Sequence, residues 1–148
     1  MKFSVNQKDL QNSLNYCQGV IEKKSTLPIL SNVLLEAKDH NLKITATDLD
    51  LIFIQNISNI EISDEGETTT SCSIMYDIVR KFNNEKKINF NLVSENKINL
   101  ESDKSTFNLN CLKATEFPIT EANFRENEFT LNSKKLLKLL NKCKFSVS

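Results

Sequence analysis

Residues 3–17 read FSVNQKDLQNSLNYC, and the chain changes period within them. Positions 2–5 alternate polar and apolar, as a strand with one buried face does. Leu10, Leu14, Cys17 and Ile21 are then spaced by four, three and four, which makes one helical stripe, while Lys8, Gln11, Asn12, Asn15 and Gln18 fall on the opposite side. The spacing predicts a helix over 7–22 with Asn6 as its N-cap. Outward from this unit, Pro28 prevents helix continuation, and 29–37, 41–46 and 51–62 read as strands separated by turns holding Asp39, Asn41, Asp48 and Asp50. Gly66 marks the next break. A short β-like segment at 68–72 leads into Ile74, Ile78 and Phe82 at four-residue spacing, a short second helix, and alternation resumes over 87–93, 97–101 and 105–112.

Residues 1–62 and 68–112 thus spell one order twice: strand, helix, three strands. Two βαβββ halves predict an α+β domain with antiparallel sheets on one side and both helices packed on the other.

A chain of 148 residues, 39% of them hydrophobic, is long enough to bury a core without staples. Lysine plus arginine and aspartate plus glutamate number 19 each, so no whole-chain field recruits a polyanion, and a nucleic-acid site has to be a local patch. With two glycines, Gly19 and Gly66, neither a P-loop nor a G-x-G-x-x-G turn can be written. His40 is the only histidine; it excludes a two-histidine zinc motif and reads as a solvated residue of the turn Lys38-Asp39-His40-Asn41. Cys17, Cys72, Cys111 and Cys143 form no C-x-x-C pair and, with no signal peptide at the start, read as reduced core thiols of a cytosolic protein. No apolar run approaches the roughly 18 residues of a membrane span. Asp48 and Asp50 are the closely spaced carboxylates near a strand end, and turn geometry accounts for them. These residues predict no enzyme, no metal and no cofactor.

A longer repeat lies at an offset of 126: FSVNQKDLQNSLNYC at 3–17 overlays FTLNSKKLLKLLNKC at 129–143, with seven identities in fifteen. The intervening 113–127 has the uneven, Pro118-containing composition of a linker. This predicts a first domain over 1–126, linker included, and the start of a second over 128–148, cut off after its first helix, so that the chain is a fragment. Leu136, Leu137, Leu139 and Leu140 of that helix then lack a domain to pack against, and the helix is expected to fray or to bury itself on a neighbouring molecule.

MKFSVNQKDL at 1–10, TLPILSNVLLEA at 26–37, LKITATDLDL at 42–51 and EFP at 116–118 together resemble the bacterial sliding clamp family, the beta subunit of DNA polymerase III. The likeness runs over essentially the whole chain. It implies a non-catalytic, cytoplasmic DNA replication protein: a head-to-tail homodimeric ring, three such domains per subunit, with helices lining a hole through which double-stranded DNA passes without sequence specificity. The replicative polymerase and the clamp loader would be held by later domains, whose residues are absent here.

Carried over position by position, the resemblance puts Lys24 first among DNA contacts, with Lys23 beside it and Arg80 and Lys81 at the end of the second helix. Ser73 and Ile74 stand where the family can place basic residues, a departure that leaves no charge contact there. The strand from Lys104 to Leu109 matches the edge strand that meets the partner subunit, with Phe107 and Leu109 as apolar contacts and Lys104 as a rim charge. The residues alone leave two alternatives open. Phe107 and Leu109 can face the domain's own core, and the whole chain can be a stand-alone α+β protein-binding module with no DNA role.

Overall fold

The computed structural model describes residues 1–22, 27–82, 86–102, 105–119 and 130–146. Among the described residues, nine strands and two helices form the domain: β1 (Lys2–Asn6), α1 (Gln7–Cys17), β2 (Asn32–Lys38), β3 (Asn41–Thr47), β4 (Ile52–Ser58), β5 (Glu61–Asp64), β6 (Gly66–Ser71), α2 (Cys72–Val79), β7 (Lys87–Ser94), β8 (Lys97–Ser102) and β9 (Ser105–Leu112). A third helix, α3 (Ser133–Cys143), follows.

Asn6 caps α1 as expected, its side chain accepting the Lys8 amide at 2.9 Å. The helix stops at Cys17, five residues short of the expected end, because the chain tightens there: the Gly19 amide donates to Tyr16 O and the Val20 amide to Cys17 O, both three-residue steps. Ile21 stays buried in phase with the stripe although it has left the helix. At the next strand, Pro28–Ser31 is a 3-10 turn, which delays β2 to Asn32. The strand expected over 51–62 is divided. Asn59 adopts φ 60°, and the Ile60 amide turns to His40 O at 3.0 Å, so that β4 remains on β3 while β5 crosses to β1.

All strand pairings are antiparallel, and the order is β4-β3-β2-β6-β9-β8-β7-β1-β5. The two halves interlock: β1, from the first, pairs with β7 of the second, and β6, from the second, pairs with β2 of the first. Neither half completes its sheet alone, so the unit folds as one.

The helices lie antiparallel against this sheet system. Gln7, at the start of α1, donates from Nε2 to Val79 O at the end of α2 (2.8 Å), while Gln18, just past the end of α1, approaches Cys72 and Ser73 at the start of α2. Gln7 therefore caps a carbonyl that α2 leaves without an intrahelical donor. Leu10, Leu14 and Cys17 of α1 and Met75 and Val79 of α2 pack on Phe3, Val5, Leu35, Leu42, Ile44, Ile88, Phe90, Ile98 and Leu100, all of them buried. Phe3 and Phe90 stack at 4.7 Å between centroids across the β1–β7 pair that joins the halves.

α3 forms a complete helix, and Asn132 caps it through the Lys134 and Lys135 amides, as Asn6 caps α1. Every residue from 130 to 146 is exposed. Cys143 is consequently not a core thiol; Cys17, Cys72 and Cys111 are buried and free as expected.

Candidate nucleic-acid face and open strand edge

The side of the helix pair turned away from the sheets carries Lys8, Asn12 and Asn15 from α1, with Ser73 and Asp77 from α2 and Arg80 and Lys81 just beyond it, while Tyr16 leans onto Phe53 of β4 with ring centres 5.9 Å apart. It is mostly polar and sparsely charged, and flexible lysine or arginine heads on such a face suit exchangeable phosphate contact. Arg80 and Lys81 are both exposed. Arg80 is tied down, 3.1 Å from Asp77 in an i,i+3 pair, with its guanidinium 6.0 Å from the Tyr76 ring centre. The Asp77 carboxylate offsets much of the field that Arg80 offers to a polyanion, which leaves Lys81 the freer cation of the two. Lys23 and Lys24 lie outside the described residues.

The other feature is an unpaired edge. The Cys111 amide donates to Asn96 O at 2.9 Å, so odd-numbered residues of β9 direct their backbone groups toward β8 and even-numbered ones away from it. On that far side β6 covers the C-terminal end alone, through Thr69↔Leu112 and Thr70↔Cys111, and the Thr70 hydroxyl takes Asn110 O at 2.9 Å. The backbone groups of Thr106 and Asn108 meet no strand there among the described residues. A cleft of about 330 Å³ runs beside this edge, lined among others by Pro28, Asn32, Ser71, Ile74, Asn108 and Leu112, and no charged residue lines it.

Phe107 and Leu109, expected to act together at an interface, are separated by the structure. They share the core-facing side of β9 with Cys111, as a period of two requires. Leu109 is 6% exposed, packs in the core of its own domain and also lines the cleft beside the edge. Phe107 lies beyond the end of α2, edge-on to Phe82 at 5.7 Å, and keeps 38% of its surface. Lys104 lies outside the described residues. Sequence reasoning weighed Ile74 only as a helix residue and a missing charge and passed over Leu112; the two are 54% and 37% exposed beside the same edge, and an apolar residue on the outward side of a capped helix turn was the available signal for Ile74.

Remaining groups have structural explanations. His40 is exposed in a left-handed turn at φ 59°. Asp48 Oδ1 accepts the amides of Asp50 and Leu51, which fixes the β3–β4 turn. Burial pushes the Cys111 thiol above its ordinary range, and hydrogen bonding from Thr68, Ile98 and Thr70 opposes that in part. Among the described residues, no group of three or more His, Cys, Asp or Glu is placed to hold a metal ion, and no helix is long and apolar enough to cross a membrane.

A family model described as DNA polymerase III beta subunit, N-terminal domain, matches residues 1–121. The beta sliding clamp of Caulobacter vibrioides is 29% identical over 150 residues, which cover 100% of this chain and 40% of the relative. That of Escherichia coli K12 is 31% identical over 148 residues with the same coverage. The solved structure titled Caulobacter crescentus pol III beta has a TM-score of 0.92 at 30% identity, again over 100% of this chain and 40% of the other. The chain spans about two fifths of the length of these relatives.

Proposed function

This chain belongs to the DNA polymerase III beta subunit family, and on that premise we propose that it serves as the opening unit of a ring-shaped sliding clamp, which encircles duplex DNA and tethers a replicative polymerase. The observation that carries the reading is the whole-length likeness to a clamp structure, with a TM-score of 0.92. Enclosure holds DNA by topology, so contacts to phosphate need only be weak and sequence-blind, and a helix face with few charges serves that purpose. The role is non-catalytic and belongs to the cytoplasm, where the chromosome is copied.

Residues 1–126 form the first unit, with a linker over about 113–127, and 128–148 open a second. Supporting this are the 126-residue repeat, the recurrence of the Asn6 cap at Asn132, and the apolar stripe that α3 leaves exposed. Lys24 is the leading DNA contact and Lys23 the next. Lys81 follows, and Arg80 contributes less because Asp77 holds it. The β9 edge meets the third unit of a partner subunit in a homodimer, with Phe107 as the apolar contact and Lys104 at the rim. Polymerase and loader contacts lie in later units. Nothing described here favours the stand-alone protein-binding module.

The test is retention on DNA. A complete subunit is expected to stay on closed circles and to run off linear ends; equal retention on both forms would refute the proposal. Lys24→Ala is expected to lower the salt slope of residual DNA binding by roughly one unit, and an unchanged slope removes Lys24 from the contact set.

A further inference from the structure

Tyr16 is the largest side chain that α1 turns to solvent, and it lies off the buried stripe with 62% of its surface exposed. Phe53 of β4 backs its ring at 5.9 Å and 40°, and Phe53 is itself packed against the core. The Tyr16 ring is therefore held from one side and open on the other.

Beside it, between α1 and β4, runs a cleft of about 330 Å³ with Asp9, Asn12, Gln55, Asn56 and Ser58 on its walls and the buried Ile57 among its lining. Gln55 Nε2 donates to Asn56 O at 3.2 Å. That leaves Gln55 Oε1 and the side-chain amides of Asn12 and Asn56 without a protein partner among the described residues. Asp9 is the one charged residue on these walls, and no described cation pairs with it.

The lining selects a ligand class. A phosphate is repelled by Asp9 and finds no lysine or arginine in the cleft to receive it. An aliphatic group would leave three carboxamides and a carboxylate facing it unpaired. A flat ring with a hydrogen-bonding edge suits both parts: it stacks on Tyr16 and turns its edge to the amides. Lys8, Asn12 and Tyr16 stand at i, i+4 and i+8 on α1, about 6 Å apart along its axis, which places Lys8 outside the cleft for the phosphate of a neighbouring nucleotide.

We propose that this cleft takes an unstacked base of single-stranded DNA, with Tyr16 as the stacking platform and Asp9 favouring the exocyclic amine of cytosine or adenine. This rests on the reading of the helix side as the face that meets DNA, and deepens it. A base inside a duplex has both faces covered and cannot reach Tyr16, so the helices pass duplex unread while the cleft holds a strand where the duplex ends.

The experiment is titration of the 148-residue chain with hexamers of deoxycytidine or thymidine and with a short blunt duplex, followed by nitrogen-edited NMR and by tyrosine fluorescence, since the chain has two tyrosines and no tryptophan. The deoxycytidine hexamer is expected to shift the side-chain amide signals of Asn12, Gln55 and Asn56 and to quench the fluorescence; the duplex is expected to leave those amides unmoved. Tyr16→Ala is expected to weaken hexamer binding about fivefold or more, and Tyr16→Phe to stay within about twofold of the parent. The thymidine hexamer is expected to bind about threefold more weakly than deoxycytidine, and Asp9→Asn to erase that difference, because an amide also donates to thymine O4. Spectra that do not change at millimolar hexamer, or equal affinity in the parent and Tyr16→Ala, overturn the proposal. Equal binding of the two hexamers removes Asp9 from the site. If Tyr16→Ala has no effect while the complete subunit is still retained on closed circles alone, the cleft fails and the DNA reading stands; equal retention on circles and linear DNA refutes that reading itself.

Discussion

Leu14 and Leu140 occupy the same place in two copies of one motif, and truncating each to alanine separates a packed copy from an unpacked one. Leu14 is 0% exposed and sits among Leu10, Met75 and Val79 between the two helices and the sheet. Leu14→Ala removes three heavy atoms from a close-packed site and leaves a cavity, at a cost of about 3 kcal/mol. With a urea dependence of about 1.5 kcal/mol per molar for a domain of this size, the unfolding midpoint should fall by about 2 M. Leu140 is 59% exposed on a helix with no buried residue. Leu140→Ala should therefore change stability by less than about 0.5 kcal/mol, and the midpoint by about 0.3 M or less. Urea titration followed by circular dichroism and by near-ultraviolet signals reads both. Equal shifts for the two variants would refute the argument, since they would mean that α3 is packed as tightly as α1. In a longer chain that completes the second unit, Leu140→Ala should acquire the cost of Leu14→Ala.

Three further outcomes are expected. A thiol reagent should modify one cysteine rapidly in the native chain, Cys143, and the other three only on unfolding; mass mapping of two or more fast sites would contradict the burial of Cys17, Cys72 and Cys111. Gly66 adopts φ 154°, and a Cβ there would stand 3.1 Å from Met1 Cβ, so Gly66→Ala should lower stability by about 1–2 kcal/mol in the same urea titration. Because the Cys111 thiol is raised in the folded state, it binds its proton more tightly there than in the unfolded chain. Its contribution is full below the ordinary thiol range and is lost as pH rises through the folded value, so the stability of Cys111→Val should fall less steeply than that of the parent above that range.

The sequence made the helix stripe legible because burial on a helix obeys a fixed spacing: Leu10, Leu14, Cys17 and Ile21 are all buried. It concealed the end of that helix, since Ile21 keeps its phase through a tightened turn. The break between β4 and β5 was legible and was passed over. Ile57 and Ile60 are both buried yet three apart, a step that a continuous strand cannot take, and Asn59 between them is a residue that tolerates a left-handed backbone. At the candidate interface the difficulty was of another kind. Phe107 and Leu109 share a phase, so alternation alone cannot tell them apart; the point where α2 stops decides that Leu109 is covered and Phe107 half open. The exchange of β1 and β6 between the halves also has no local signature, because it depends on pairings between distant segments.

The same exchange explains why the edges of this domain end where they do. With β1 inserted beside β7, and β6 beside β2, each half has its first strand inside the other's sheet, and its last long strand keeps an open side, β4 at the end of the strand order and β9 along its first part. β9 rejoins the opposite sheet only at its C-terminal end, through β6, and the β4–β5 segment does the equivalent through β1 after its break at Asn59. The two halves thus repeat one solution, a long strand whose first part is open and whose last part ties the sheets together. An internal twofold-like duplication of this kind yields two open edges on one domain, one from each half. Two edges per unit are the minimum from which a chain of units can be extended and then closed.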